Sequence, residues 1–170
     1  MNNKKLTYSE AIEKIMFDNG YIAPLKLLYS KIRNYKDISK IKWKTPDKTI
    51  QERVQRDPRF TKIGYWVYAL TKYLDQLPEE KEVKTHQEKL EKMHSRIQGM
   101  LIEIWNMNWF ETFTPDKNQV FENKQLWKIT TLNEVPLFTY ESIINESIRF
   151  VDVVWFNERL FPSKLIEVEN

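Results

Sequence analysis

Cysteine is absent from the 170 residues, which excludes a disulfide framework and any thiolate zinc site and leaves His86 and His94 as the sources of imidazole. A reducing cytoplasm suits such a chain. No window approaches the roughly 18–20 consecutive apolar residues that a membrane helix needs. The opening Met1-Asn2-Asn3-Lys4-Lys5 is not followed by the apolar run of a secretion signal. A soluble protein without a membrane partner is the expectation. Glycine is scarce, with 3 residues against an average usage of about 7%. No internal repeat or low-complexity tract is present.

What is present is an apolar content of 41% and an aromatic content of 14%, enough for one moderate core or two small ones. Two small domains are the preferred reading because the charge is uneven. Residues 1–75 carry 16 Lys/Arg and 8 Asp/Glu, whereas residues 76–170 carry 11 and 16. A net charge of +3 therefore hides a basic front half and an acidic back half. The first suits a polyanion and the second has carboxylates to spare for chemistry. A merely solvated lysine-rich face is the alternative.

The front half reads as helix, helix, basic helix and hairpin. Thr7 and Glu10 have capping-box spacing, and Ile12, Ile15 and Met16 form a stripe that stops at Asn19-Gly20. Pro24 to Tyr35 carries Leu25, Leu28, Tyr29 and Ile32 at helical spacing. Thr45 is the expected N-cap and Pro46 the first residue of a third helix, whose Ile50 and Val54 share one face and leave Lys48, Gln51, Arg53 and Arg56 for a partner. Pro58 ends it. Phe60–Ile63, the turn Gly64-Tyr65 and Trp66–Leu70 then read as strand, turn, strand. This order within one small unit predicts a winged helix-turn-helix, residues 1–75, with Lys42, Lys44, Lys48, Gln51, Arg53, Arg56, Arg59 and Lys62 directed at duplex DNA.

Residues 76–88, with Leu77-Pro78-Glu79-Glu80-Lys81-Glu82, read as a linker. From Lys89 to Asn106, Leu90, Met93, Ile97, Met100, Leu101 and Ile104 recur every three or four positions and predict an amphipathic helix. Beyond it, Trp109–Phe113 is a strand, Thr114–Asn118 a turn and Tyr140–Ile148 a short helix. Phe150–Phe156 is a buried strand, and Pro162–Glu169 pairs with it. The fold class expected is α+β, a winged helix followed by a partial α/β core of helix plus strands over residues 89–170.

Asp152 lies in a run of valines and aromatics, where an anion is costly to bury without a partner. Strand alternation puts Glu167 and Glu169 on one face, and hairpin pairing brings Asp152 near them. Three carboxylates of this kind suit a hard divalent ion such as magnesium. The bland alternative pairs Asp152 with Lys164 or Arg159 and leaves both glutamates solvated at an edge.

Thr7-Tyr8-Ser9-Glu10-Ala11-Ile12, Thr45-Pro46-Asp47-Lys48-Thr49-Ile50 and Arg56-Asp57-Pro58-Arg59-Phe60 through Tyr68-Ala69-Leu70 resemble the HARE-HTH domain. That winged-helix module occurs in bacterial RNA-polymerase delta subunits, in chromatin proteins and fused to restriction endonucleases. His94-Ser95-Arg96-Ile97-Gln98-Gly99 through Glu167-Val168-Glu169 looks like the start of a PD-(D/E)XK nuclease core. The second resemblance implies Asp152 and Glu167 as magnesium ligands and Glu103 on the first helix as an outer ligand. It also implies Glu169 as the base where the family usually has lysine. Because the chain stops at Asn170, the helix and strand that complete such a core are expected to be missing. Together the resemblances imply a restriction or defence endonuclease acting on duplex DNA, with a homodimer as one assembly to test. The other reading is a non-enzymatic, transcription-associated regulator, and a third has the basic helix bind protein or RNA. Asp152→Ala and Glu167→Ala separate the first two.

Tryptophan departs from both resemblances. Trp43, Trp66, Trp105, Trp109 and Trp127 stand where related sequences tend to have glycine, whereas Trp155 looks natural. With glycine so scarce, the expectation is a source that reads UGA as glycine; UGG at all five codons would refute it.

Overall fold

In the computed structural model the described residues are 6–35, 46–79 and 82–169. Trp43, Lys42, Lys44 and Thr45 lie outside them. The chain divides into two compact units, Met1–Gln76 and Leu77–Asn170. Both mix helix with small open sheets, giving an α+β protein.

The first unit runs α1 (Tyr8–Asp18), β1 (Ile22–Pro24), α2 (Leu25–Lys31) with a 3-10 turn at Ile32–Asn34, α3 (Pro46–Arg56), β2 (Phe60–Gly64), β3 (Val67–Leu70) and a 3-10 segment, Thr71–Gln76. Helix α1 starts at the reciprocal Thr7–Glu10 capping box, which satisfies two otherwise orphaned N–H groups. The three strands form an antiparallel sheet in the order β1-β3-β2. Ile12, Ile15, Leu28, Ile50, Val54 and Tyr68 close the core, so the inward faces of all three helices meet the sheet. This is the element order of a winged helix-turn-helix. The turn of the wing falls at Tyr65-Trp66, because Gly64 pairs with Val67. Trp66 is therefore in the turn and not the first residue of the strand.

The second unit is built on α4 (His86–Met107), which begins at a second capping box, Thr85 with Glu88. The expected linker accordingly contributes the first turn of this helix. After it come β4 (Glu111–Phe113), β5 (Val120–Phe121), β6 (Lys124–Gln125), α5 (Leu126–Ile129), α6 (Glu141–Glu146) with a 3-10 turn Ile148–Phe150, β7 (Val153–Phe156) and β8 (Pro162–Ile166). The main sheet is antiparallel in the order β4-β7-β8, with Glu111 opposite Phe156 and Val153 opposite Ile166. Residues 150–152 and 167–169 lie outside the strands, which are shorter than the hydrophobic runs suggested. Phe113, Val154 and Phe156 pack with Ile148. Asn106 ties α4 to its neighbours through Ile129 O at 2.7 Å and the Thr112 hydroxyl at 2.9 Å. A Cβ on Gly99 would fall 2.2 Å from the Phe121 ring, so the hairpin β5–β6 can approach α4 only over a glycine.

Two tryptophans occupy left-handed backbone, Trp66 with φ 56° and Trp109 with φ 67°. At the end of α4, Phe110 N–H donates to Trp105 O at 3.1 Å and Trp109 N–H to Asn106 O at 3.3 Å. The rings of Phe110 and Trp105 meet edge-on at 4.9 Å. These are both hydrogen bonds and the apolar contact of a Schellman cap, whose left-handed residue is usually glycine. Trp109 is 57% exposed. Trp109→Gly should therefore stabilise the protein by about 1 kcal/mol through relief of αL strain, seen as a higher urea midpoint. Trp109→Ala, which removes the ring but keeps Cβ, should not. An equal gain in both variants would refute the backbone explanation. Trp105 and Trp127 lie on helices, where no such signature exists.

Candidate functional site

One turn of α4 and two loops converge at one end of the main sheet. Helix α4 supplies His94 and Gln98, four residues apart and hence on one face. The loop after β4 supplies Asp116, whose N–H is held by the Thr114 hydroxyl at 3.2 Å. Asp152 directly precedes β7, the central strand. One ligand atom each from His94, Asp116 and Asp152 lies within 4.8 Å of the others. Gln98 knits the group together, its Nε2 donating to Asp116 Oδ2 at 2.7 Å and to Asp152 Oδ1 at 3.1 Å. The Val168 N–H donates to Asp152 Oδ2 at 2.7 Å. This is how Asp152 is accommodated beside a run of buried apolar residues: the Gln98 and Val168 amide donors replace the water it gives up. Neither Lys164 nor Arg159 is its partner. Lys164 stands opposite Trp155 in the β7–β8 register, and Arg159 sits in the turn, its N–H held by Asn157.

His94 Nε2 is 3.1 Å from Asp152 Oδ2 but out of line for a hydrogen bond, and it is buried with no such partner among the described residues. Gln98 is 0% exposed, and its Oε1 is likewise unpartnered. One imidazole nitrogen and two carboxylates make a donor set that fits a divalent cation.

The sequence-predicted acids divide. Extending the register by one residue puts Glu167 opposite Asp152, and Glu169 follows; both are exposed. Glu167 is not among the three residues that converge. Glu103 is a correction: it is 2% exposed and bonded to the fully buried Lys124, Nζ to Oε1 3.0 Å. It balances a core charge and does not join Asp152. His94 and Asp116 were not in the predicted ligand set. Their only signals are the spacing of His94 to Gln98 on the helix and an acid in a polar turn after a strand, both common.

On α3, Lys48, Arg53 and Arg56 are exposed and Gln51 half-buried, while Ile50 and Val54 face the core. Arg56 is bridged to Glu52 at 2.6 Å, at a site where both side chains are mostly solvated. Lys62 lies 5.7 Å over the Trp66 ring. Arg59 is already paired within its own unit. It bonds Asp57 at 2.7 Å and Glu13 at 2.8 Å, and this pairing holds the Asp57 carboxyl well below the usual carboxylate range and raises the guanidinium. Arg59 thus links α1 to the start of β2.

No helix among the described residues is long and apolar enough to cross a membrane. In comparisons with known proteins, no curated protein and no solved structure matches. The family described as "Type II restriction enzyme NmeDI C-terminal domain" matches residues 76–170, a span that takes in α4, the main sheet and the whole His94–Asp116–Asp152 cluster. More than half of the chain is thereby accounted for, and the protein belongs to the Type II restriction enzyme NmeDI C-terminal domain family.

Proposed function

We propose that the protein is a restriction-type endonuclease component whose first unit, a HARE-type winged helix, grips duplex DNA and whose second unit hydrolyses a phosphodiester at the Asp152 cluster. The observation that carries this reading is the convergence of Asp116 and Asp152, locked by Gln98, inside the region matched by a restriction-enzyme family. A bound divalent ion, magnesium by the sequence resemblance, would activate water and neutralise charge growing on the phosphate. Asp116, Asp152 and His94 would hold it. Gln98 and the Val168 amide fix the carboxylates in place, so their orientation need not be organised during the reaction. Glu169 is proposed to take a proton from the attacking water and Glu167 to act beside Asp152. On the first unit, Lys48, Arg53, Arg56 and Lys62 contact phosphates, and Gln51 stands nearest the groove.

The test is duplex binding by the full chain in a chelator, followed by addition of the metal. Four phosphate contacts predict a slope of log affinity against log salt of about −3 to −4. Arg53→Ala should flatten it by about 1, and divalent ion should start backbone scission. Salt-insensitive binding would overturn the role of the winged helix. Absence of scission with every divalent ion would overturn the hydrolytic role.

A further inference from the structure

We propose that His94, Asp116 and Asp152 form a mixed nitrogen and oxygen site selective for a divalent first-row transition ion, manganese above all, over magnesium. This deepens the hydrolytic reading of the same cluster and rests on it. Magnesium takes near-ideal octahedral oxygen coordination and keeps much of its water. An imidazole in the ligand set penalises it and is accepted by the softer ions. The carboxylate majority keeps the set on the manganese side of that series, and with no thiolate and one histidine it lacks the usual donors of a structural zinc site.

Two independent features support a cation here. The buried Nε2 of His94 lies 3.1 Å from Asp152 Oδ2 and makes no hydrogen bond among the described residues, so an imidazole nitrogen faces a carboxylate oxygen within the three-residue cluster. Gln98, fully buried, spends its Nε2 on both aspartates and leaves its Oε1 buried without a hydrogen-bond partner among the described residues. The amide orientation follows from chemistry, since two carboxylates call for a donor between them.

The experiment is manganese binding to the full chain without DNA, read by electron paramagnetic resonance, with magnesium as competitor and circular dichroism as the folding control. Expected are one ion per chain, a preference over magnesium of at least about 10-fold, and nitrogen modulation in the spin-echo spectrum. His94→Gln should abolish the nitrogen signal and weaken manganese binding about 10–100-fold, the range that even outer partners of metal ligands command. If that variant does not fold, Asp116→Asn carries the test and should weaken binding over the same range. The proposal is overturned if the folded variants bind manganese as wild type does, if no nitrogen modulation appears, or if Glu167→Gln abolishes binding while His94→Gln does not. Magnesium-driven scission that survives His94→Gln would overturn this proposal and leave the hydrolytic reading standing. Nitrogen-coupled manganese without scission would do the reverse.

Discussion

Lys124→Met should destabilise the Leu77–Asn170 unit by about 3–5 kcal/mol, the range for breaking one side of a buried ion pair. Lys124 is 0% exposed and reaches Glu103 at 3.0 Å and Glu122 at 3.1 Å, with its ammonium 4.7 Å over the Phe121 ring. It is delivered there by a two-residue hairpin turn in which Glu122 and Asn123 both take positive φ, 46° and 61°, as a type I′ turn requires. Removing the cation leaves Glu103 as a carboxylate at 2% exposure without its ammonium. The double variant Glu103→Met, Lys124→Met should regain most of the loss, because an apolar pair of similar volume removes the desolvation cost of both charges. Urea denaturation followed by tryptophan fluorescence measures it, since the Trp105 and Trp155 rings pack in this unit with centroids 3.7 Å apart. If Glu103 instead served the metal, the double variant would fold and yet lose manganese.

Asp152→Asn should lower metal-dependent scission by more than about 100-fold, beyond what the loss of an outer partner of a metal site does. The substitution keeps the shape but presents an amide where Gln98 and Val168 both donate, and it removes one of the two anions of the cluster. Duplex affinity measured in chelator should stay within about 2-fold of wild type, because phosphate contacts by α3 supply the binding. Scission at the wild-type rate in a folded Asp152→Asn protein would remove Asp152 from the chemistry.

The tryptophans show where local and distant information part. Trp66 and Trp109 fall at a wing turn and a helix cap, where the chain needs positive φ. Those two positions support the proposal that the natural residue is glycine, read from UGA. Trp105 packs against Trp155 and Phe110, and Trp127 bonds Gln125 at 3.2 Å, and neither backbone asks for glycine. Codon sequencing decides it, and UGA at 66 and 109 is the expected result.

Among the site residues, Asp152 was legible because a carboxylate inside an apolar run has few bland explanations. Lys48, Arg53 and Arg56 were legible because Ile50 and Val54 at helical spacing fix which face turns outward. The pairing of Arg59 was not, since it sits in the turn before β2 and its partner Glu13 lies on α1, 46 residues away in the chain. Both capping boxes are short-range patterns, but the dense charge around Thr85–Glu88 gives that stretch the composition of a linker and masks the start of α4.

Sequence alone determined the helices of the first unit, the helical course of α4 and the buried run of β7, because these depend on residues within a few positions of one another; the face α4 buries was not among them, since Met93, Met100 and Ile104 of the expected apolar stripe are exposed while Ser95, Gln98, Gly99, Ile102, Glu103 and Asn106 are buried. Tertiary structure alone decided that His94 and Asp116 join Asp152 while Glu103 turns to Lys124. Those choices depend on how closely the β5–β6 hairpin settles on Gly99 and where the loop after β4 returns to α4. No local spacing encodes the meeting of side chains carried by separate elements.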